Sequence, residues 1–147
     1  MNSSTNSAIY KCPICDTVIE VLEPCGLEIT CCGPEMIRLK ERVASQHEPH
    51  ALMVETCREG LKVSVGHMPH QMEDDHYISW IELSDDGKCC RQFLEPGERP
   101  EAVFNVHGRS VVARAYCSAH GLWRSTEKGG SSRVKHARAQ AGELLSV

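Results

Sequence analysis

No stretch of this chain is long and apolar enough to span a bilayer, no basic excess marks a nucleic-acid face, and no repeat or sustained helical period organises it. A membrane helix needs about 20 consecutive apolar residues, and the longest apolar runs here fall far short. The formal net charge of −4 has the wrong sign for a protein that neutralises phosphates. The opening segment MNSSTNSAIYK lacks the basic start and apolar centre of a secretory signal. A cytoplasmic protein is therefore expected, with neither membrane nor nucleic-acid partners. A full disulfide framework is not expected, because nine cysteines is an odd number and a reducing compartment turns clustered thiols toward metals.

What the chain does contain is metal-binding side chains in two groups. The first lies within residues 10–39, where K-C-P-I-C precedes a short apolar stretch and then C-C-G-P-E-M. Cys12 and Cys15 bracket a tight turn, and Cys31 and Cys32 follow after fifteen residues. Four thiolates suit tetrahedral zinc or a single iron. Two ligands adjacent in sequence strain an ideal tetrahedron, so a distorted site is expected. Val18, Ile19, Val21 and Leu22 read as one short strand and residues 27–30 as another. That apolar area is too small to hold such a module folded, so the cysteines and their metal must staple it.

Residues 40–50 read as a polar connection carrying the first histidine of the second group. Beyond them, short β-type segments are expected over 51–56, 61–65, 77–83, 89–94, 102–106 and 111–116, separated by turn signals such as D-D-G-K and E-P-G-E-R-P. Strands at this spacing without helical period suggest a sandwich or barrel. In the segment Y-I-S-W-I, the strict alternation places Ile78 and Trp80 on one face and Ile81 on the other, so both faces should be packed. The stretch from 127 onward, K-G-G-S-S and then V-K-H-A-R-A-Q-A-G-E-L-L, reads as a flexible linker and a short basic helix. Cys25, Cys57, Cys89 and Cys90 have no metal-like partners and read as small apolar or surface residues. His47, His67, His107 and His136 fall outside the ligand spacing.

The second group is His50, His70, His76, Cys117 and His120, spaced H-x19-H-x5-H-x40-C-x2-H. His70 and His76 bracket the turn Q-M-E-D-D, and Cys117 and His120 bracket another at the end of a strand, so the five can meet at one rim of a sandwich. Four imidazoles and a thiolate leave a first-row metal one position short of an octahedron. An open position opposite a thiolate suits redox chemistry on a small molecule, and a fifth protein ligand argues for iron over zinc. The residues alone leave three functions open: a redox enzyme, a non-catalytic iron electron-transfer or storage protein, and a zinc-ribbon interaction module on a binding domain.

Across residues 9–125 the motifs Y-K-C-P-I-C, C-C-G-P-E-M, P-H-Q-M-E-D-D-H-Y-I-S-W-I-E-L, F-L-E-P-G-E-R-P-E-A-V-F and A-R-A-Y-C-S-A-H-G-L-W resemble the desulfoferrodoxin family, the two-iron superoxide reductases. The resemblance implies a mainly β protein. A desulforedoxin-like, rubredoxin-type module over residues 1–39 would hold iron on Cys12, Cys15, Cys31 and Cys32. A linker over 40–50 would lead into an immunoglobulin-like β-sandwich over 51–126, followed by a basic tail over 127–147. It implies a second, square-pyramidal iron with His50, His70, His76 and His120 equatorial and Cys117 axial. The activity so implied is one-electron reduction of superoxide to hydrogen peroxide without release of oxygen, in a homodimer served by a rubredoxin-like electron donor.

Glu48 matches the family's loop glutamate, which by resemblance closes onto the oxidised iron as a sixth ligand. One departure stands beside it. Where the family commonly carries a lysine between that glutamate and the first histidine, this chain has Pro49. Loss of a local cation should slow superoxide association and weaken its salt dependence, and Pro49→Lys tests this. Lys40, Arg42, Arg58 and Lys62 are the sequence neighbours able to stand in for the missing charge.

Overall fold

A computed structural model describes residues 7–126; the expected linker and helix beyond residue 126 lie outside the described residues. Eleven strands and no helix form among them. The first three are β1 (Ala8–Lys11), β2 (Val18–Val21) and β3 (Ile37–Arg38), which make a small sheet in the order β2-β1-β3. Residues 27–30 are not a strand. Both edges of β1 are filled by β2 and β3, so that segment finds no ladder, and only Thr30 makes a single bridge to Glu35.

The remaining strands are β4 (Arg42–Val43), β5 (Leu52–Cys57), β6 (Gly60–Val65), β7 (Ile78–Asp85), β8 (Lys88–Phe93), β9 (Glu101–Phe104), β10 (Val111–Cys117) and β11 (Gly121–Arg124). They form a five-stranded sheet, β4-β11-β10-β7-β8, and a three-stranded sheet, β5-β6-β9. Between these sheets pack Leu61, Val63 and Val65 of β6, Ala102 and Phe104 of β9, Ile81 and Leu83 of β7, and Ala113, Ala115 and Cys117 of β10. Each set alternates along its strand, as one face of a pleated sheet requires. The connection over residues 40–50 is more than a tether, since β4 adds to the large sheet by parallel pairing with β11.

Strand β7 is buried on both faces, but the faces differ from strict alternation. Tyr116 stands opposite Trp80 and Cys117 opposite Ile78, so Ser79 is an extra residue in the ladder. This bulge rotates Ile78 onto the sandwich face with Ile81 and Cys117, and leaves Trp80 on the other. A period-two reading cannot register an inserted residue.

The outer face of the five-stranded sheet carries the N-terminal module as a third layer. Ile9, with Val18 and Leu39, packs on Trp80, Tyr116 and Leu122. Beside this apolar contact runs an ionic network. The Arg114 side chain, 1% exposed, donates through Nε to Glu82 Oε1 at 2.8 Å and through Nη1 to Glu41 and to the Ser7 carbonyl, each at 2.9 Å. Arg91 bridges Glu82 to Glu20, donating to Glu20 at 2.8 and 2.9 Å, with its guanidinium 4.8 Å from the Trp80 ring centre. Arg124 donates to the second oxygen of Glu41 at 3.2 Å. Desolvating Glu82 and Arg114 is costly unless every charge keeps its partner, and the partners come from both modules. The network therefore fixes how the module sits on the sheet.

Candidate metal centres

In the N-terminal module, two turns bring four sulfurs together. The first runs from Cys12 to Thr17, closed by the Cys12 amide donating to the Thr17 carbonyl at 2.9 Å. The second holds Cys31 by its amide bond to Pro34 O at 3.1 Å. Cys12, Cys15, Cys31 and Cys32 place their Sγ atoms within 4.8 Å of one another. The Cys15–Cys31 and Cys31–Cys32 separations are 3.7 and 3.9 Å, against about 3.8 Å for the edge of a regular tetrahedron with metal–sulfur bonds of about 2.3 Å. At these edges the adjacent cysteines do not distort the tetrahedron. The backbone takes the strain instead: Cys32 lies at φ 56°, a left-handed conformation that turns consecutive side chains toward one point.

Without a cation Cys15 and Cys31 are shifted in opposite directions. Hydrogen bonding, first from the Thr17 hydroxyl, lowers Cys15 to about 6. Hydrogen bonds with Cys12 and then Cys15 push Cys31 up to about 12. A metal removes this conflict by taking all four as thiolates.

The second centre lies at one end of the sandwich. Cys117 is the last residue of β10, and its side chain is fully buried among the core residues. His120 follows in the turn to β11, and the Arg114–Cys117 pairing with Gly121–Arg124 holds that turn tight. Ser118 ties it to the neighbouring loop, since its amide donates to Tyr77 O at 2.9 Å and the Tyr77 amide donates to Ser118 Oγ at 3.0 Å. That loop is closed by reciprocal backbone bonds between Glu73 and His76, each 3.0 Å.

The third contributor is the turn carrying His50, brought against the end of β6 at Gly66. The Gly66 amide donates to Ala51 O at 2.8 Å. Its φ is +89°, and a Cβ there would stand 2.2 Å from the Met68 carbonyl and 2.8 Å from that of Pro49. Glycine alone allows the His50 and His70 segments to approach this closely.

The four imidazoles close a square. His50 neighbours His70, His70 neighbours His76, His76 neighbours His120 and His120 neighbours His50, with ring centres 4.8, 4.9, 4.7 and 5.0 Å apart. His50 Nε2 lies 3.1 Å from His70 Nε2, and His76 Nε2 lies 3.2 Å from His120 Nδ1. Two nitrogens bonded to one metal at right angles, each about 2.1 Å from it, lie about 3.0 Å apart. Cys117 Sγ sits 3.7 Å from both His70 Nε2 and His120 Nδ1, as an apical ligand set back from the square. The structure thus gathers the four cysteines at one point and His50, His70, His76, His120 and Cys117 at another.

The electrostatics favour loading. Burial, then the neighbouring imidazoles and Arg42, lower His50 to about 4, and burial lowers His70 as well, so both present neutral lone pairs. His70 Nδ1 donates to the Gln71 carbonyl at 2.6 Å, which leaves Nε2 free to bind. Burial raises the Cys117 thiol, so a bound cation must displace its proton. A donor set of four imidazoles and one thiolate fits iron, and the four thiolates fit iron as well.

Glu48 lies outside the square. Its carboxylate is turned to Ser45, accepting from the amide at 2.5 Å and from Oγ at 2.8 Å, and these bonds lower its pKa. Cys25, Cys57, Cys89 and Cys90 join no candidate metal group among the described residues. His47 and His67 are exposed and meet edge to face at 5.3 Å, His107 is exposed, and His136 lies outside the described residues.

Two residues at the rim escaped the sequence reading, and a third was named there without a place. Trp123 stacks on His50, rings 4.3 Å apart and 4° from parallel. Gly66 had a faint signal, a glycine between an apolar strand and two histidines. Arg42, placed here only as one of four possible cations, donates from Nη2 to the His120 carbonyl at 2.9 Å.

These features define a metalloprotein with one tetrathiolate centre and one open centre of imidazoles over a thiolate. A desulfoferrodoxin family model matches residues 39–126, and the model of the desulfoferrodoxin N-terminal domain matches residues 4–39. Desulfoferrodoxin of Desulfarculus baarsii is 45% identical over 118 residues, covering 80% of this chain and 94% of that protein. The chain belongs to the desulfoferrodoxin family. Superoxide reductase of Pyrococcus abyssi is 31% identical over 109 residues, 59% of this chain and 95% of that protein. The crystal structure of superoxide reductase from Treponema pallidum shares the fold, with a TM-score of 0.66 at 21% identity over 83% of this chain and 99% of that one.

Proposed function

We propose that this protein is a superoxide reductase, which converts superoxide, one electron and two protons into hydrogen peroxide and releases no oxygen. The observation that carries the reading is the closed square of His50, His70, His76 and His120 over the buried Cys117. His50, His70, His76, His120 and Cys117 would hold the iron, which when bound would supply the electron. Cys117 is fully buried in the core behind the square, where a thiolate charge is little screened and would raise the electron density of a metal bound there. The square faces solvent on its other side, with His120 exposed and His50 and His76 half-buried, so a diatomic anion and its protons reach it directly.

Glu48 is proposed as the carboxylate that closes the open position after oxidation. Glu48 stands two residues before His50 with its carboxylate bonded to Ser45, and a hard oxygen ligand suits the ferric state. The tetrathiolate centre is read as a second iron whose first task is to fold its module. A rubredoxin-like protein is the proposed external donor. A homodimer, in the cytoplasm, is the proposed form: Leu22, Leu27 and Ile37 of the small module are large apolar side chains left exposed, which a second copy would cover.

The test is an anaerobic metal count with visible spectra, followed by addition of superoxide to the reduced protein. Two irons per chain, with a ferric–thiolate band growing as peroxide forms and no oxygen evolved, is the expected result. Zinc at both sites, or a spectrum indifferent to superoxide, overturns it.

A further inference from the structure

The centre is open to an anion, yet the position between Glu48 and His50 is a proline, so the source of positive charge is a live question. Of the four neighbouring cations, Lys62 pairs with Glu55 on β5 and β6 at 3.6 Å, and Arg58 sits in the hairpin joining those strands. Arg42 is placed differently. Strand β4 sets it beside Trp123 in the parallel register with β11. Its guanidinium carbon lies 5.0 Å from the Trp123 ring centre, and that same ring stacks on His50. Its Nη2 is bonded to the carbonyl of His120. Arg42 thus adjoins the His50–His120 edge of the square from both ends.

Two further observations give this charge a direction. Among the described residues no carboxylate pairs with Arg42; the neighbouring Glu41 is taken by Arg114 and Arg124. The loop spanning the opposite edge, from His70 to His76, carries Glu73, Asp74 and Asp75, all exposed. The His50–His120 edge carries this cation, with the Glu48 carboxylate held to Ser45 nearby, while the opposite loop carries three carboxylates and no cation. A field of this shape admits a small anion from the first side and repels it from the second.

We propose that Arg42 is the anion-steering residue of the rim centre, drawing superoxide onto the open face across the His50–His120 edge. It acts through its charge, without bonding the metal. Resting on the superoxide reductase reading, the proposal deepens it by naming the approach path and the residue that replaces the absent lysine.

The test compares the full-length, iron-loaded protein with Arg42→Gln, Arg42→Lys and the double variant Arg42→Gln with Pro49→Lys. Pulse radiolysis gives the superoxide association rate against ionic strength, and azide titration of the oxidised centre reads anion affinity without turnover. Arg42→Gln should slow association about three- to fivefold at low salt and flatten its salt dependence, with azide binding weakened to a similar degree. Arg42→Lys should stay within about twofold, and the double variant should regain both rate and salt slope, since a cation returns beside His50. Unchanged rate, slope and azide affinity in Arg42→Gln overturn the proposal. So does a double variant as slow as the single one, because the loss is then geometric. If the wild-type centre ignores superoxide altogether, the functional reading fails, and the azide comparison alone then decides whether Arg42 attracts anions.

Discussion

The two centres of this chain are built in opposite ways. Around the tetrathiolate, three strands of two to four residues and a few apolar side chains carry a site whose sulfurs are largely exposed. Around the imidazole square, eight strands enclose a continuous core, and the axial sulfur is itself part of it. In the first case the metal organises the chain, because the apolar area available is too small to do so. In the second the chain organises the metal site: regular alternation along β10 aims Cys117 into the core, a glycine admits two loops, and backbone bonds hold the loops of His70, His76 and His120. Preorganisation of this kind is what a centre with a vacant position requires, since no sixth protein ligand is there to hold the others in place.

Five experiments press on that contrast, beginning with the largest expected effect. Cys117→Ser should abolish the ferric–thiolate band and slow superoxide reduction by about a hundredfold or more, while far-UV circular dichroism of the sandwich is retained. Collapse of the sandwich would mean that this centre also makes its own fold. Cys15→Ser should do the reverse. Hydrogen exchange should rise throughout residues 12–36 as the module loses its metal, with the rim reaction rate unchanged; a fall in that rate would make the tetrathiolate an obligatory electron relay.

Arg114→Met leaves the Glu82 carboxylate buried without its main partner, and urea unfolding should show a loss of about 3–5 kcal/mol. Adding Glu82→Leu should recover part of it. Gly66→Ala forces a Cβ against two carbonyls at a positive φ, at a cost of about 1–3 kcal/mol. It should weaken iron retention at the rim in a chelator competition and leave the tetrathiolate untouched.

The smallest effect concerns acid. Arg91 above all lowers Glu20 from its ordinary 4.5 to about 2. A carboxylate held low in the folded state adds stability that is present above pH 4.5 and is lost as pH falls toward 2. Because Glu20 is about a quarter exposed, water screens the pair, and about 1 kcal/mol is expected. Glu20→Gln should therefore be less stable than wild type at pH 6 and converge with it near pH 2. A constant gap would show that this charge does not govern module docking.

Much of this was legible beforehand. Both ligand sets, the all-β character and most sandwich strands follow from residue type, spacing and turn signals, because metal ligands and turn residues act through short-range chemistry that a sequence displays directly. The strand expected at 27–30 fails because pairing depends on which edges remain free. The facing of Ile78 fails because one inserted residue at Ser79 reverses the pleat. Glu82 and Arg114 read as ordinary charges on a strand until a third layer is seen to cover that face.

The sequence by itself determined which atoms can bind metal, that there are two sets of them, and that one set leaves a position open; these are properties of side-chain chemistry. Only the tertiary structure decided that the imidazoles close in the order His50, His70, His76, His120, that His120 uses Nδ1 where its neighbours use Nε2, and that Arg42 and Trp123 stand at the square's edge. The reason is physical. Ring orientation and approach depend on strand register and on contacts between residues some 80 positions apart, such as Arg42 with His120 and Trp123, and these exist only once the sheets have packed.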